Sequence, residues 1–144
     1  MVEHDRPRLF VATDGSPAAV AATRCAVELA SDCGGFLRVV TVGEIDARPL
    51  TRGRADLERS LAHAVRLGTE AGVETTSAIV EGDGRDTYDA ILAAATDWGA
   101  DLLFVGRTGR HGPGRAMMGS QAEHVLEFSD IPVVVVPPAH GRRP

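Results

Sequence analysis

The stretch "DLLFVGRTGRHGPGRAMMGSQAEHVLEFSDIPVVVVP", Asp101–Pro137, holds one whole unit of the fold. It begins with a continuously apolar run, Asp101–Gly106, that reads as a buried strand. A glycine-rich loop follows, then a helical pattern over Ser120–Ser129, then a second apolar run, "IPVVVVP", over Ile131–Pro137. Strands apolar on both faces belong in a parallel sheet covered by helices on each side.

The same alternation extends toward the N-terminus. "RLFVAT", Arg8–Thr13, is a first strand ending in the turn "DGSP". Ser16 can cap the next helix and Pro17 suits its first position; Gly34 and Gly35 stop it. "FLRVVTV", Phe36–Val42, is a second strand, and "GEIDARPLTRG" after it is a connector without periodicity. A second helix is predicted over Arg54–Ala71, with Leu57, Leu61, Ala64, Val65 and Gly68 along one face. "VETTSAIV", Val73–Val80, is a third strand. "EGDGRD" then turns into a third helix with Tyr88, Ile91, Leu92, Ala95 and Trp98 facing inward. With right-handed crossovers this alternation makes a doubly wound, Rossmann-like α/β fold. We expect one domain over residues 1–144, with an ordered core from about 7 to 138.

Composition narrows the function. A net charge of -5 argues against broad binding to nucleic acid or an anionic membrane. All fifteen basic residues are arginines, so there is no Walker A lysine, Schiff-base lysine or lysine general base. The charged start "MVEHDRPRLF" has no apolar signal core, and no apolar run is long enough for a membrane span. The expected location is the cytoplasm. Cys25 and Cys33 share a helix about 12 Å apart along its axis, too far for a disulfide; they read as small buried hydrophobes.

In such folds ligands sit beyond the carboxyl ends of the strands, where the strand order reverses. The "TDGS" turn and the glycine loop both lie at that edge. Residues 105–116 hold four glycines, three arginines and one histidine. The spacing is G-x2-G-x9-G-S, at Gly106, Gly109, Gly119 and Ser120. Glycines let backbone N–H groups approach an anion, and a helix start adds free donors and a favourable dipole. Gly119 and Ser120 would therefore suit a phosphate, with Arg107, Arg110 and Arg115 near. An equally physical reading needs no ligand: "SQAE", Ser120–Glu123, is a capping box. Asp14 likewise either faces a ligand or caps the "DGSP" turn.

Other chemistries lack support. "EGDGRD" departs from the calcium-loop pattern and reads as a solvated loop capping the third helix. The histidines (His4, His63, His111, His124 and His140) show no metal-ligand spacing. No G-x-S-x-G elbow occurs.

The chain resembles the universal stress protein family over nearly its whole length. The resemblance is carried by "FVATDGSPAAVAA" and by the segment from "AILAAATDWGADLLFVG" to "IPVVVVP". The glycine spacing marks that family's nucleotide-binding branch. The resemblance implies a five-stranded parallel sheet in the order 3-2-1-4-5 and ATP at its carboxyl edge; Mg2+ would accompany ATP through phosphate oxygens and water. By position, Ala12, Thr13 and Asp14 would line the adenine and ribose side, and Val42 would meet adenine through its backbone. Val105, Gly106 and Gly109 would hold the ribose and first phosphates; Gly119, Ser120 and Gln121 would hold the outer ones. Arg107 and Gln121 depart from the smaller residues common at those places. The resemblance also implies a homodimer through the last strand, Pro132–Val136, since an unpaired apolar edge invites association; the tail "PPAHGRRP" is the other candidate cover.

The reading is an ATP-binding regulatory homodimer of stress adaptation, acting on an unidentified protein partner, with no nucleic acid or membrane involved. A nucleotide-free interaction module of the same fold is a second reading. A slow ATPase or autokinase is a third, although no general base is evident and His111 is the nearest titratable group.

Overall fold

The computed structural model describes residues 6–43, 53–108 and 118–138. Five strands and four helices alternate along the chain: β1 (Arg8–Ala12), α1 (Pro17–Cys33), β2 (Phe36–Gly43), α2 (Arg54–Glu70), β3 (Glu74–Glu81), α3 (Thr87–Trp98), β4 (Leu102–Gly106), α4 (Ser120–Phe128) and β5 (Val133–Val136). The strands form one parallel sheet in the order β3-β2-β1-β4-β5. This is the doubly wound order expected from the resemblance.

Local chemistry accounts for the helix ends. The Ser16 hydroxyl accepts the N–H of Ala19 at 3.2 Å, and Pro17 occupies the first helical position of α1. Gly34, at φ 70°, ends α1 in the left-handed conformation that glycine adopts without a Cβ penalty.

Side chains alternate across the sheet, so each strand feeds two cores. On one face Leu9, Val11, Val39 and Phe104 pack with Ala22, Ala26 and Ala30 of α1 and Leu61 and Ala64 of α2. On the other face Phe10, Val40, Leu103 and Val105 pack with Ile91 and Ala95 of α3 and Ala122 and Val125 of α4. The central strands β1 and β4 are buried on both sides, which explains their unbroken apolar runs.

The edges depart from the sequence reading. β3 is mostly half-buried or exposed rather than a covered strand, because α3 leaves part of its face open. β5 is shorter than Ile131–Pro137: Pro132 and Pro137 flank it and have no N–H to donate, although the Pro132 carbonyl still accepts from Leu103 at 2.9 Å. On α3, Ala90, Ile91 and Ala95 are buried while Tyr88, Leu92 and Trp98 are half-buried. Cys33 is exposed, since it lies in the last turn of α1 beyond the core stripe, and Cys25 is half-buried.

One contact sets how α1 meets the sheet. A Cβ on Gly106 would lie 2.7 Å from the carbonyl carbon of Ala18 and 2.8 Å from the nitrogen of Ala19. Those are backbone atoms, so the first turn of α1 can pack on the end of β4 only over glycine. Gly106→Ala is therefore expected to cost about 1–3 kcal/mol from overpacking, read as a lower urea midpoint with an unchanged m-value.

Candidate functional site

The helices after β1 and β4 depart to opposite faces: α1 joins the core shared with α2, and α4 joins the core shared with α3. Between them, at the carboxyl ends of β1, β2 and β4, lies a cavity of about 340 Å³. This is the place where a doubly wound sheet leaves a crevice.

The end of β1 contributes Ala12, Thr13 and Asp14. The Thr13 N–H donates to the Val40 carbonyl at 2.9 Å, and its hydroxyl accepts from Gly15 at 3.1 Å. The Asp14 carboxylate accepts the N–H of Ser16 at 2.9 Å. Asp14 therefore closes the turn and also lines the cavity; the two roles are compatible. β2 contributes Val42, with Val40 and the buried Thr41.

β4 contributes Val105, Gly106 and Arg107, followed by Thr108. The Ser16 hydroxyl donates to the Thr108 carbonyl at 3.5 Å, which links the two loops that frame the cavity. Gly119, Ser120 and Gln121 complete that side. Ten of the eleven candidate residues thus meet at one cavity. Gly109 lies outside the described residues, as do Arg110, His111 and Arg115.

The capping box is corrected. The cap of α4 is Gly119, and Ser120 is the first helical residue. The N–H of Glu123 bonds to the Gly119 carbonyl at 3.0 Å, with no side-chain cap hydrogen bond. The cause lies outside the helix. The Gly119 N–H donates to the Arg107 carbonyl at 2.8 Å, so the helix begins one residue earlier than the box requires. Among the described residues, no hydrogen-bond acceptor meets the amides of Ser120, Gln121 and Ala122, the open donors of a first helical turn. All three residues line the cavity.

Two further contributors come from α3, Thr87 and Ile91. Sequence reasoning missed them because it placed Ile91 only in the core and stopped the "EGDGRD" loop at Asp86. Asp86 does occupy the cap position of α3, yet its side chain makes no cap hydrogen bond. The signal was present: the third helix starts at the same sheet edge as the other two loops. Next to Thr87, Tyr88 stacks on His124 of α4 with ring centroids 4.6 Å apart. Partial desolvation, then Asp89, Asp86 and Glu127, push its phenol up from the ordinary value, so the stack holds a neutral ring.

The lining divides by chemistry. Ala12, Val40, Val42, Ile91 and Val105 form an apolar slot suited to a flat ring. Asp14 offers a carboxylate acceptor at one side. The first turn of α4 offers amide donors and a positive helix end at the other, suited to an anion. No cluster of three or more His, Cys, Asp or Glu side chains able to hold a metal occurs among the described residues. No helix among them is long and apolar enough to cross a membrane.

Comparison with known proteins agrees with this architecture. A universal stress protein of Methanocaldococcus jannaschii is 24% identical over 153 residues, covering 90% of this chain and 81% of the relative. A crystal structure of a universal stress protein family member from Burkholderia pseudomallei is 28% identical with a TM-score of 0.74, covering 96% of this chain and all of that one. The structure of the universal stress protein from Archaeoglobus fulgidus in complex with dAMP has a TM-score of 0.71 at 23% identity, covering 92% and 99%. The sequence profile of the Universal stress protein family matches residues 6–137, and the chain belongs to that family.

Proposed function

We propose that the chain binds an adenine nucleotide, ATP with Mg2+, at the carboxyl edge of the sheet and acts as a nucleotide-responsive regulatory homodimer in stress adaptation. The observation that carries this reading is the first turn of α4. Its three open amides, the buried Gly119 and the positive helix end face the cavity beside Arg107. That is the arrangement phosphates take at helix starts. The relative from Archaeoglobus fulgidus solved with dAMP supports the adenine assignment.

In this reading Ala12, Thr13 and Asp14 line the adenine and ribose side, with Val42 meeting adenine through its backbone. Val105, Gly106 and Gly109 hold the ribose and first phosphates. Gly119, Ser120 and Gln121 hold the outer phosphates, and Arg107 adds positive charge. Mg2+ is held through phosphate oxygens and water. The shift of the helix cap to Gly119 supports a ligand role for Ser120, whose hydroxyl is not spent on capping.

Calorimetric titration of the purified protein with ATP and AMP tests this. Saturable binding is expected, and so is release of adenine nucleotide on denaturing gently purified protein. Absence of both sinks the proposal. Gly119→Glu places a carboxylate against the phosphates; like-charge contact costs several kcal/mol. Affinity should fall at least about a hundredfold while the far-ultraviolet spectrum stays native.

The homodimer is proposed through β5. The Leu103 N–H donates to the Pro132 carbonyl, and the Arg107 N–H to the Val136 carbonyl at 2.7 Å. Peptide groups alternate along a strand, so Val133 and Val135 turn theirs to the open edge. Among the described residues no strand pairs beyond β5. Leu126 of α4, 44% exposed, adds apolar surface on the element that packs against β5. Val135→Pro removes an outward N–H and keeps the ladder to β4. Sedimentation should show dimer for the parent and monomer for the variant; a dimer that survives in Val135→Pro refutes pairing through this edge.

A further inference from the structure

α3 covers β2 and β3 incompletely. Where it crosses them it presents Ala90, Ala93 and Ala94, and these short side chains leave a second cavity of about 400 Å³. Val80 and Trp98 are its half-buried apolar lining, and Val40 lies fully buried beneath it. Among the described residues, Val40 alone borders both this cavity and the one at the sheet edge.

Two guanidinium groups stand at this apolar surface, Arg38 and Arg85. Arg38 is half-buried in the middle of β2, in register with Phe10 and Thr76. Phe10 beside it is fully buried and Thr76 on the other side is exposed, so the charge stands where the covered part of this face meets the open part. Arg38 donates to the Thr76 hydroxyl at 3.0 Å, and Arg85 to the Gly82 carbonyl at 3.4 Å. Both acceptors are neutral. The ion pairs among the described residues involve Arg6, Arg54 and Arg59, not these two. Asp97 lies at the cavity but within ion-pair distance of neither. Half-burying the Arg38 cation beside apolar surface costs free energy unless an anion meets it, while the exposed Arg85 stands at the open rim.

Volume, floor and charge specify one kind of occupant. About 400 Å³ falls in the range of small-molecule sites, which are mainly apolar with a few placed polar groups. A guanidinium holds a carboxylate through paired N–H donors. We infer that the groove under α3 is a binding site for a small amphipathic carboxylate, with its apolar body on Val80, Ala94 and Trp98 and its head at Arg38 and Arg85. The site is separate from the proposed nucleotide cavity and does not depend on that assignment.

Trp98 is the sole tryptophan of the chain, and it reports directly on this groove. The test titrates the full chain with decanoate, below its micelle concentration, and follows Trp98 emission, with decanol as the neutral control. Decanoate should give a saturable change, and decanol should bind about tenfold more weakly or worse. Arg38→Gln and Arg85→Gln, checked by far-ultraviolet dichroism, should each weaken decanoate about tenfold. Ala94→Phe, which fills the groove, should abolish binding in calorimetry. The inference is overturned by no saturable response to decanoate, by equal affinity for decanol, or by unchanged affinity in both arginine variants.

Discussion

The backbone of Arg107 ties together the parts of the molecule that define its site. Its N–H donates to Val136 at the edge of the sheet, and its carbonyl accepts the N–H of Gly119 at 2.8 Å. The chain leaves the sheet just after β4 and returns to the same residue at the start of α4. This closure fixes where α4 begins. It makes Gly119 the cap, moves Ser120 into the helix and leaves the amides of Ser120, Gln121 and Ala122 without an acceptor among the described residues, in residues that line the cavity. A start one residue later would have spent the Ser120 hydroxyl on capping. One hydrogen bond, worth only about 1 kcal/mol net, thus decides which donors the cavity receives.

The opposite wall is set by steric exclusion. Gly106 carries no side chain because the backbone of Ala18 and Ala19 occupies that space. The same glycine belongs to the spacing that suggests a phosphate loop, so its presence has a packing cause independent of any ligand. Asp14 also has two roles, one in the turn and one at the cavity. Ser16 has three: it caps α1, bonds Thr108 in the second loop and borders the cavity. Sharing of this kind joins the lining of the crevice to the helix starts around it.

Much of the fold was legible because local rules and tertiary packing agreed. Pro17 after Ser16, Gly34 at the end of α1, and unbroken apolar runs in β1 and β4 each report a constraint that acts within a few residues. The edge elements were less legible. Residues 73–80 and 131–137 look alike as strands, yet β3 is largely open and β5 is cut short by flanking prolines. Coverage of an edge depends on where a distant helix lies, and no local pattern records that. The site followed the same division. Asp14, Gly106 and Gly119 stand out by residue type and spacing, whereas Thr87 and Ile91 join them only because α3 begins at the same sheet edge. Arg38 carries no local signal of its own; what sets it apart is the groove it shares with Val80, Trp98 and Arg85.

By itself the sequence determined the order of strands and helices, the helix stops, the exclusion of lysine chemistry and the family. These depend on residue type and short-range periodicity, which are properties of the chain before it folds. Tertiary structure alone decided that Gly119 caps α4, that α3 completes the crevice, and that a charged groove lies over β2 and β3. Each of these depends on which distant backbone or side chain arrives at a given point, and close packing and hydrogen bonding settle that only once the sheet has formed.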